Sequence, residues 1–167
     1  TLYSGGIRQF VIEKKVDLSP YPEASFVIVS SSVRALQAIA AMHRRKFSIP
    51  VIGIAGSNAK TIIKEWLYQL LSKEFVIVKN PGSYNSQIGV PLSVWQIQSH
   101  HELGIFEAGM SQPGEMELLQ KIIQPTIGIF TNIGSAHDEG FADESQKINE
   151  KLTLFSEAKT LLFCADQ

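Results

Sequence analysis

The sequence has 167 residues, of which 44% are hydrophobic and 19% are charged, a balance that excludes disordered and collagen-like proteins. Its 15 basic residues are matched by 16 acidic residues, so the chain lacks the basic excess that nucleic-acid binding favours. The single cysteine, Cys164, excludes a disulfide framework and a cysteine metal site.

Apolar runs typical of strands alternate with helical patterns along the chain. In chain order they predict strands at 8–13 and 25–29, a helix at 32–47, a strand at 51–55, a helix at 60–71, a strand at 75–79, a short helix near 90–96, a strand at 103–108, a helix at 114–123, a strand at 127–132, a helix at 145–157 and a strand at 160–164. The strands are almost continuously hydrophobic, as expected where helices cover both faces of a parallel sheet. We therefore predict an α/β fold with a doubly wound, mostly parallel sheet that binds ligands at the loops after its strands.

A domain boundary is predicted between Lys46 and Pro50. The helix before it ends in a basic cluster at 43–46, whose cations complement the carbonyl end of a helix, and Pro50 then restarts the chain as a strand. We assign residues 1–48 to part of a smaller α/β domain and residues 49–167 to the main domain. No apolar run approaches the ~20 residues of a membrane span and no secretion signal is evident, so we expect a cytoplasmic protein without a membrane partner.

The segment 51–61 combines a strand, a turn rich in Gly, Ser and Asn, and a Lys-Thr pair that opens a helix. A phosphate-binding loop needs inward backbone N–H groups, a helix N-terminus, a lysine for the outer phosphates and a hydroxyl for magnesium. Ala59 stands where such loops carry a glycine, and an ordinary strand-to-helix turn capped by Ser57 or Asn58 is the alternative. The nucleotide-binding residues predicted from this loop are Gly53, Gly56, Ser57, Asn58, Ala59, Lys60 and Thr61.

Four residues elsewhere are further candidates. Glu107 ends a buried strand, where a carboxylate suits magnesium, although a helix-capping or surface role is the alternative. His137 lies in a Gly/His loop and Asn85 in an Asn/Ser loop; from spacing alone, either residue also fits a purely structural role. Lys151 lies on a predicted helix, where a solvated surface lysine is the alternative.

These motifs together resemble the Mur ligase family. The loop resembles Gly-x-x-Gly-[ST]-Asn-Gly-Lys-[ST], which Mur ligases and folylpolyglutamate synthases carry, except at Ala59, and five motifs between 49 and 155 follow the family's order. The resemblance implies ATP and Mg²⁺ as cofactors, with Thr61 and Glu107 holding one ion. It also implies that His137 and a carbamylated Lys151 hold a second ion, and that Lys60, His137 and Lys151 are catalytic.

Three segments, 81–92, 107–116 and 124–129, resemble the branch of the family that adds D-alanyl-D-alanine. That branch implies a peptidoglycan-precursor ligase with UDP-N-acetylmuramoyl-tripeptide and D-alanyl-D-alanine as partners, and Asn85 near the nucleotide. Residues 1–48 then resemble the end of the UDP-substrate-binding domain, and 49–167 most of the central ATP-binding domain. Residues 49–109 also resemble ligases fused to an alanine racemase, so a racemase domain outside this chain is an open alternative. A folylpolyglutamate synthase and a non-catalytic nucleotide-binding module are the competing functions.

Overall fold

Seven strands and five α-helices follow one another in the computed structural model, which describes residues 1–134, 141 and 143–165. They are β1 (Gln9–Ile12), β2 (Ser25–Ile28), α1 (Ser32–Arg44), β3 (Val51–Ala55), α2 (Lys60–Leu71), β4 (Ile77–Lys79), α3 (Gly89–Val94), β5 (Leu103–Glu107), α4 (Glu115–Ile123), β6 (Ile127–Phe130), α5 (Glu144–Leu152), a 3-10 helix (Thr153–Phe155) and β7 (Thr160–Phe163). Every predicted element is present, which confirms the α/β class. None of the helices in the described part of the chain is long and apolar enough to cross a membrane.

The chain divides into two compact units, Thr1–Leu36 and Gln37–Gln167. In the first unit, β1 and β2 form a parallel pair in which the rings of Phe10 and Phe26 stack 5.1 Å apart. The division falls within α1 because the second half of that helix buries Ala40 in the core of the second unit. The domain limits 1–48 and 49–167 stay a prediction.

The second unit is built on a five-stranded parallel sheet in the order β4-β5-β3-β6-β7. On one face, α2 packs Ile63, Leu67 and Leu71 against Ile52 and Ile105 of the central strands. On the other face, α3, α4 and the 3-10 helix cover a second cluster. Helices therefore lie on both faces, which confirms the doubly wound architecture, and β3 and β5 are buried along their whole length.

Two helices end three or more residues earlier than their sequence patterns predict. α1 ends at Arg44 rather than at residue 47, and the Arg44 guanidinium turns back to donate hydrogen bonds to the carbonyls of Phe47 and Ile49. It also donates to the carbonyl of Ile123 at 2.9 Å, so this buried cation connects the end of α1 to the end of α4. α5 ends at Leu152, and the following turn tightens into a 3-10 helix instead of continuing to residue 157.

The carboxyl ends of the central strands meet at one edge of the sheet. Ile54 of β3 pairs with Glu107 of β5, and Ala55 of β3 pairs with Phe130 of β6. The loops that follow these three strands therefore start side by side, which is where doubly wound sheets bind ligands.

Candidate functional site

The loop after β3 is held against the end of β6 by a set of hydrogen bonds. The amides of Ser57 and Asn58 donate to the backbone and side-chain oxygens of Asn132, both at 2.9 Å, and the Thr131 hydroxyl donates to the carbonyl of Asn58 at 2.7 Å. Gly56 has φ 140°, and a Cβ there would lie 2.0 Å from Thr131 Oγ1. Only glycine fits at this position, because any side chain would push the loop away from β6.

Ala59 adopts the left-handed backbone conformation, with φ 64° and ψ 2°, at the N-cap of α2. Its carbonyl accepts the first helical hydrogen bond from Ile63 at 2.9 Å, and no described side chain caps the helix at this end. The alternative of a turn capped by Ser57 or Asn58 is therefore wrong. Residue 59 therefore has the backbone conformation that glycine favours, although it is an alanine.

Lys60 extends back over this loop. Its ammonium donates to the carbonyls of Gly56 and Ser57 at 2.9 and 3.1 Å. Burial lowers the pKa of Lys60, and the nearby carboxylate of Glu107 partly opposes that shift. The cation therefore lies directly above the loop at the N-terminus of α2.

Glu107 is fully buried at the end of β5 and brings three predicted residues together. Its Oε1 accepts hydrogen bonds from the Thr61 hydroxyl and the Asn85 side-chain amide, each at 3.1 Å. Its Oε2 accepts no hydrogen bond within the described residues and lies 4.0 Å from the ammonium of Lys64. The surface role considered for Glu107 is wrong, because the side chain is 0% exposed. The capping role is wrong as well, because the hydrogen bonds that the carboxylate accepts within the described residues come from side chains and not from the amides of a helix end.

Lys64 was missed in the sequence analysis, although it too is fully buried. It lies one helical turn after Lys60 and therefore on the same face of α2. This spacing of four could have indicated that Lys64 points toward the same site. Residue type argued against it, since lysines are rarely buried. Asn80 was missed as well: its side chain accepts from the Glu107 amide at 2.7 Å and donates to the Tyr84 carbonyl at 2.7 Å, which anchors the Asn85 loop to β5.

Two buried lysines of α5 face the loop from the side of β6. Lys151 donates to the Ser57 hydroxyl at 2.9 Å and is 5% exposed, so the surface-lysine alternative is wrong. Lys147, one turn earlier, donates to the Gly134 carbonyl at 2.7 Å. The Ser57 hydroxyl is also hydrogen-bonded to the backbone of Gly134, so both lysines are connected to the loop after β3. Lys147 was missed, although its spacing of four from Lys151 places both on one helix face.

Gly53 and His137 are the two predicted site residues that the contacts above do not include. Gly53 lies inside β3, where an added Cβ would meet Pro125 at 2.8 Å, so sheet packing is what requires a glycine there. His137 lies outside the described residues, within the segment between Gly134 and Phe141.

Comparison with known proteins matches this sequence to one family. Residues 54–167 match the profile of the Mur ligase middle domain. The UDP-N-acetylmuramoyl-tripeptide–D-alanyl-D-alanine ligase of Borreliella burgdorferi is 43% identical over 118 residues, which cover 71% of this chain and 25% of that protein. The ligase of the same name from Treponema pallidum is 38% identical over 135 residues, 80% of this chain and 29% of that one.

A solved structure agrees with these sequence relatives. The MurF ligase of Thermotoga maritima in complex with ADP superposes with a TM-score of 0.83 at 31% identity, covering 94% of this chain and 36% of that chain. The present chain thus spans from 25% to 36% of the length of these relatives.

Proposed function

Since the chain belongs to the Mur ligase family, we propose that it is the ATP-binding core of a ligase that joins D-alanyl-D-alanine to UDP-N-acetylmuramoyl-tripeptide. The names of the relatives from Borreliella and Treponema support this substrate pair. They also argue against the folylpolyglutamate synthase alternative. In the longer protein, residues 1–48 would belong to the UDP-substrate-binding domain and 49–167 to the central ATP-binding domain; a fused alanine racemase stays a prediction.

The observation that carries the proposal is the convergence of three ammonium groups on the loop after β3 and on Gly134 beside it. Lys60 lies on the carbonyls of Gly56 and Ser57, Lys151 on the Ser57 hydroxyl, and Lys147 on Gly134 beside it. The same loop ends at the N-terminus of α2, whose first amides no described side chain caps. Lysines and an uncapped helix N-terminus together favour a polyanion such as a nucleoside triphosphate. The ADP complex of the Thermotoga relative supports the same assignment.

The residues beside the loop fit a magnesium ion. The Thr61 hydroxyl and the Glu107 carboxylate offer hard oxygens 3.1 Å apart, and Glu107 Oε2 is buried without a hydrogen bond. The described residues hold no cluster of three or more His, Cys, Asp or Glu side chains, and magnesium needs few protein ligands because it keeps several waters. Thr61 and Glu107 would hold the first ion, and His137 with a carbamylated Lys151 would hold a second. Bound magnesium neutralises charge on the phosphoryl oxygens.

The proposed reaction has two steps. A carboxylate oxygen of the tripeptide attacks the γ-phosphorus of ATP, so that an acyl phosphate forms and ADP leaves. The amine of D-alanyl-D-alanine then attacks the acyl carbon, loses a proton and releases inorganic phosphate. Within this chain, Lys60 would balance the charge that develops on the transferred phosphoryl group, and the uncapped first amides of α2 would orient it.

A substrate-pair assay on the full-length protein tests this function. We expect ADP release and a ligated product with UDP-N-acetylmuramoyl-tripeptide and D-alanyl-D-alanine, and none with tetrahydrofolate and glutamate. Lys60→Ala should abolish ADP release, whereas Lys73→Ala, which removes an exposed lysine at the other end of α2, should leave it unchanged. ADP release that persists in Lys60→Ala, or that requires the folate, would contradict the proposal.

A further inference from the structure

Lys64 is the one lysine on α2 that is fully buried, and its ammonium is surrounded by three acceptors. It donates to the carbonyl of Gly82, lies 3.3 Å from a Glu65 carboxylate oxygen and lies 4.0 Å from Glu107 Oε2. Burying an ammonium group is costly unless its charge is compensated. Side-chain packing alone therefore does not explain why a lysine is buried at this position.

The carboxylate of Glu107 is contacted on two sides. Thr61 and Asn85 hydrogen-bond to Oε1, whereas Lys64 is the cation next to Oε2. Removing Lys64 would leave Oε2 with neither a hydrogen bond nor an ion pair within 4.0 Å among the described residues. The orientation of the carboxylate would then depend on the two hydrogen bonds to Oε1.

Lys64 also connects the Asn85 loop to α2. Its hydrogen bond to Gly82 anchors the start of this loop, three residues before the Asn85 amide reaches Glu107. The far end of the loop is held by Gly109, whose amide donates to the Asn85 carbonyl at 2.8 Å. One ammonium group thus joins three elements: the helix that carries Lys60, the loop of Asn85 and the strand end of Glu107.

We propose that Lys64 is a positioning residue that aims the Glu107 carboxylate and the Asn85 loop at a magnesium-bound nucleotide. The inference rests on the proposed function, because it concerns the same magnesium and nucleotide site. It adds a residue that does not touch the nucleotide and acts through Glu107. Groups that orient a metal ligand from behind typically change metal affinity by about 10–100-fold when they are removed.

The test compares ADP affinity with and without magnesium, by calorimetry on the purified full-length protein. Lys64→Met should reduce the magnesium enhancement of ADP binding by about tenfold or more, while ADP binding without magnesium changes little. The matched control is Lys79→Met, which removes the other lysine on Glu65, at 2.8 Å, without touching Glu107. Its magnesium enhancement should equal that of the wild-type chain.

A double-mutant cycle separates positioning from a loss of stability. If Lys64 acts through Glu107, then Lys64→Met has no further effect on magnesium enhancement in a Glu107→Gln background. Should Lys64→Met not fold, Lys64→Gln replaces it, because a glutamine still offers a donor to the Gly82 carbonyl but no charge. Hydrogen exchange of residues 80–89 gives a second readout, and faster exchange is expected in the Lys64 variant but not in Lys79→Met.

The outcomes for Lys64 and for the site can be told apart. If the wild-type chain shows no magnesium-enhanced ADP binding, the proposed function fails and the Lys64 proposal fails with it. If the wild-type chain binds but the Lys64 variant keeps the wild-type enhancement, only the Lys64 proposal is overturned. Equal losses in the Lys64 and Lys79 variants would likewise overturn it, because they would trace the effect to Glu65.

Discussion

Replacing Ala59 by glycine should stabilise the fold, because the residue holds a left-handed backbone at φ 64°. That conformation costs an alanine about 1–2 kcal/mol relative to its right-handed form. Glycine removes this cost but adds about 0.4–1 kcal/mol of unfolded-state entropy. The expected net gain in the free energy of unfolding is therefore about 1 kcal/mol, which corresponds to about 2–4 °C in Tm for a chain of this size.

Thermal unfolding of Ala59→Gly beside a matched variant measures this effect. Ala38→Gly makes the same chemical change at an exposed position inside α1, where it should lower the free energy of unfolding by about 1 kcal/mol. The two variants should shift Tm in opposite directions. We also expect Ala59→Gly to bind ATP more tightly, because it removes a methyl group from the loop that would face the phosphates in the proposed site. A drop in Tm as large as that of Ala38→Gly would refute the left-handed assignment, and weaker ATP binding would count against the placement of the phosphates.

Three further substitutions probe the site and the fold. Gly56→Ala should abolish nucleotide binding and lower the free energy of unfolding by about 3 kcal/mol, because its Cβ would lie 2.0 Å from Thr131 Oγ1; near-wild-type ADP affinity by calorimetry would contradict this. Arg44→Met should cost about 3 kcal/mol in chemical denaturation, since it leaves buried carbonyls without a donor, whereas the exposed Arg45→Met should stay within about 0.5 kcal/mol. With ¹³C-bicarbonate, the protein should show a carbamate carbon resonance that Lys151→Ala lacks, and an unchanged spectrum in that variant would rule out carbamylation at this lysine.

The order and type of the elements could be predicted because they depend on local patterns. Continuous apolar runs indicated buried parallel strands, and the Lys-Thr pair at 60–61 marked the start of α2. Helix ends were harder to predict. α1 stops at Arg44 because its guanidinium finds carbonyls on α4 nearly eighty positions away, and no local pattern reports such partners.

The location of the site could be predicted because its loops follow the carboxyl ends of parallel strands, which meet at one edge of the sheet. Thr61, Asn85 and Glu107 were expected to lie near one another, and the structure places them within one hydrogen-bonded group. Lys64 and Lys147 were not predicted, because a lysine on a helix carries no local sign of whether it points to solvent or to a buried carboxylate. The strand pairing and the packing of the helices decide that.

By itself, the sequence determined the period of its apolar residues, and with it the alternation of strands and helices and the position of the glycine-rich turn. Tertiary structure alone decided the left-handed backbone at Ala59 and the burial of Lys64, Lys147 and Lys151. The physical reason is the distance along the chain between the residues that interact. Periodicity reflects neighbours a few residues apart, whereas the charge and backbone strain at this site are balanced by groups that the parallel sheet brings together from distant parts of the chain.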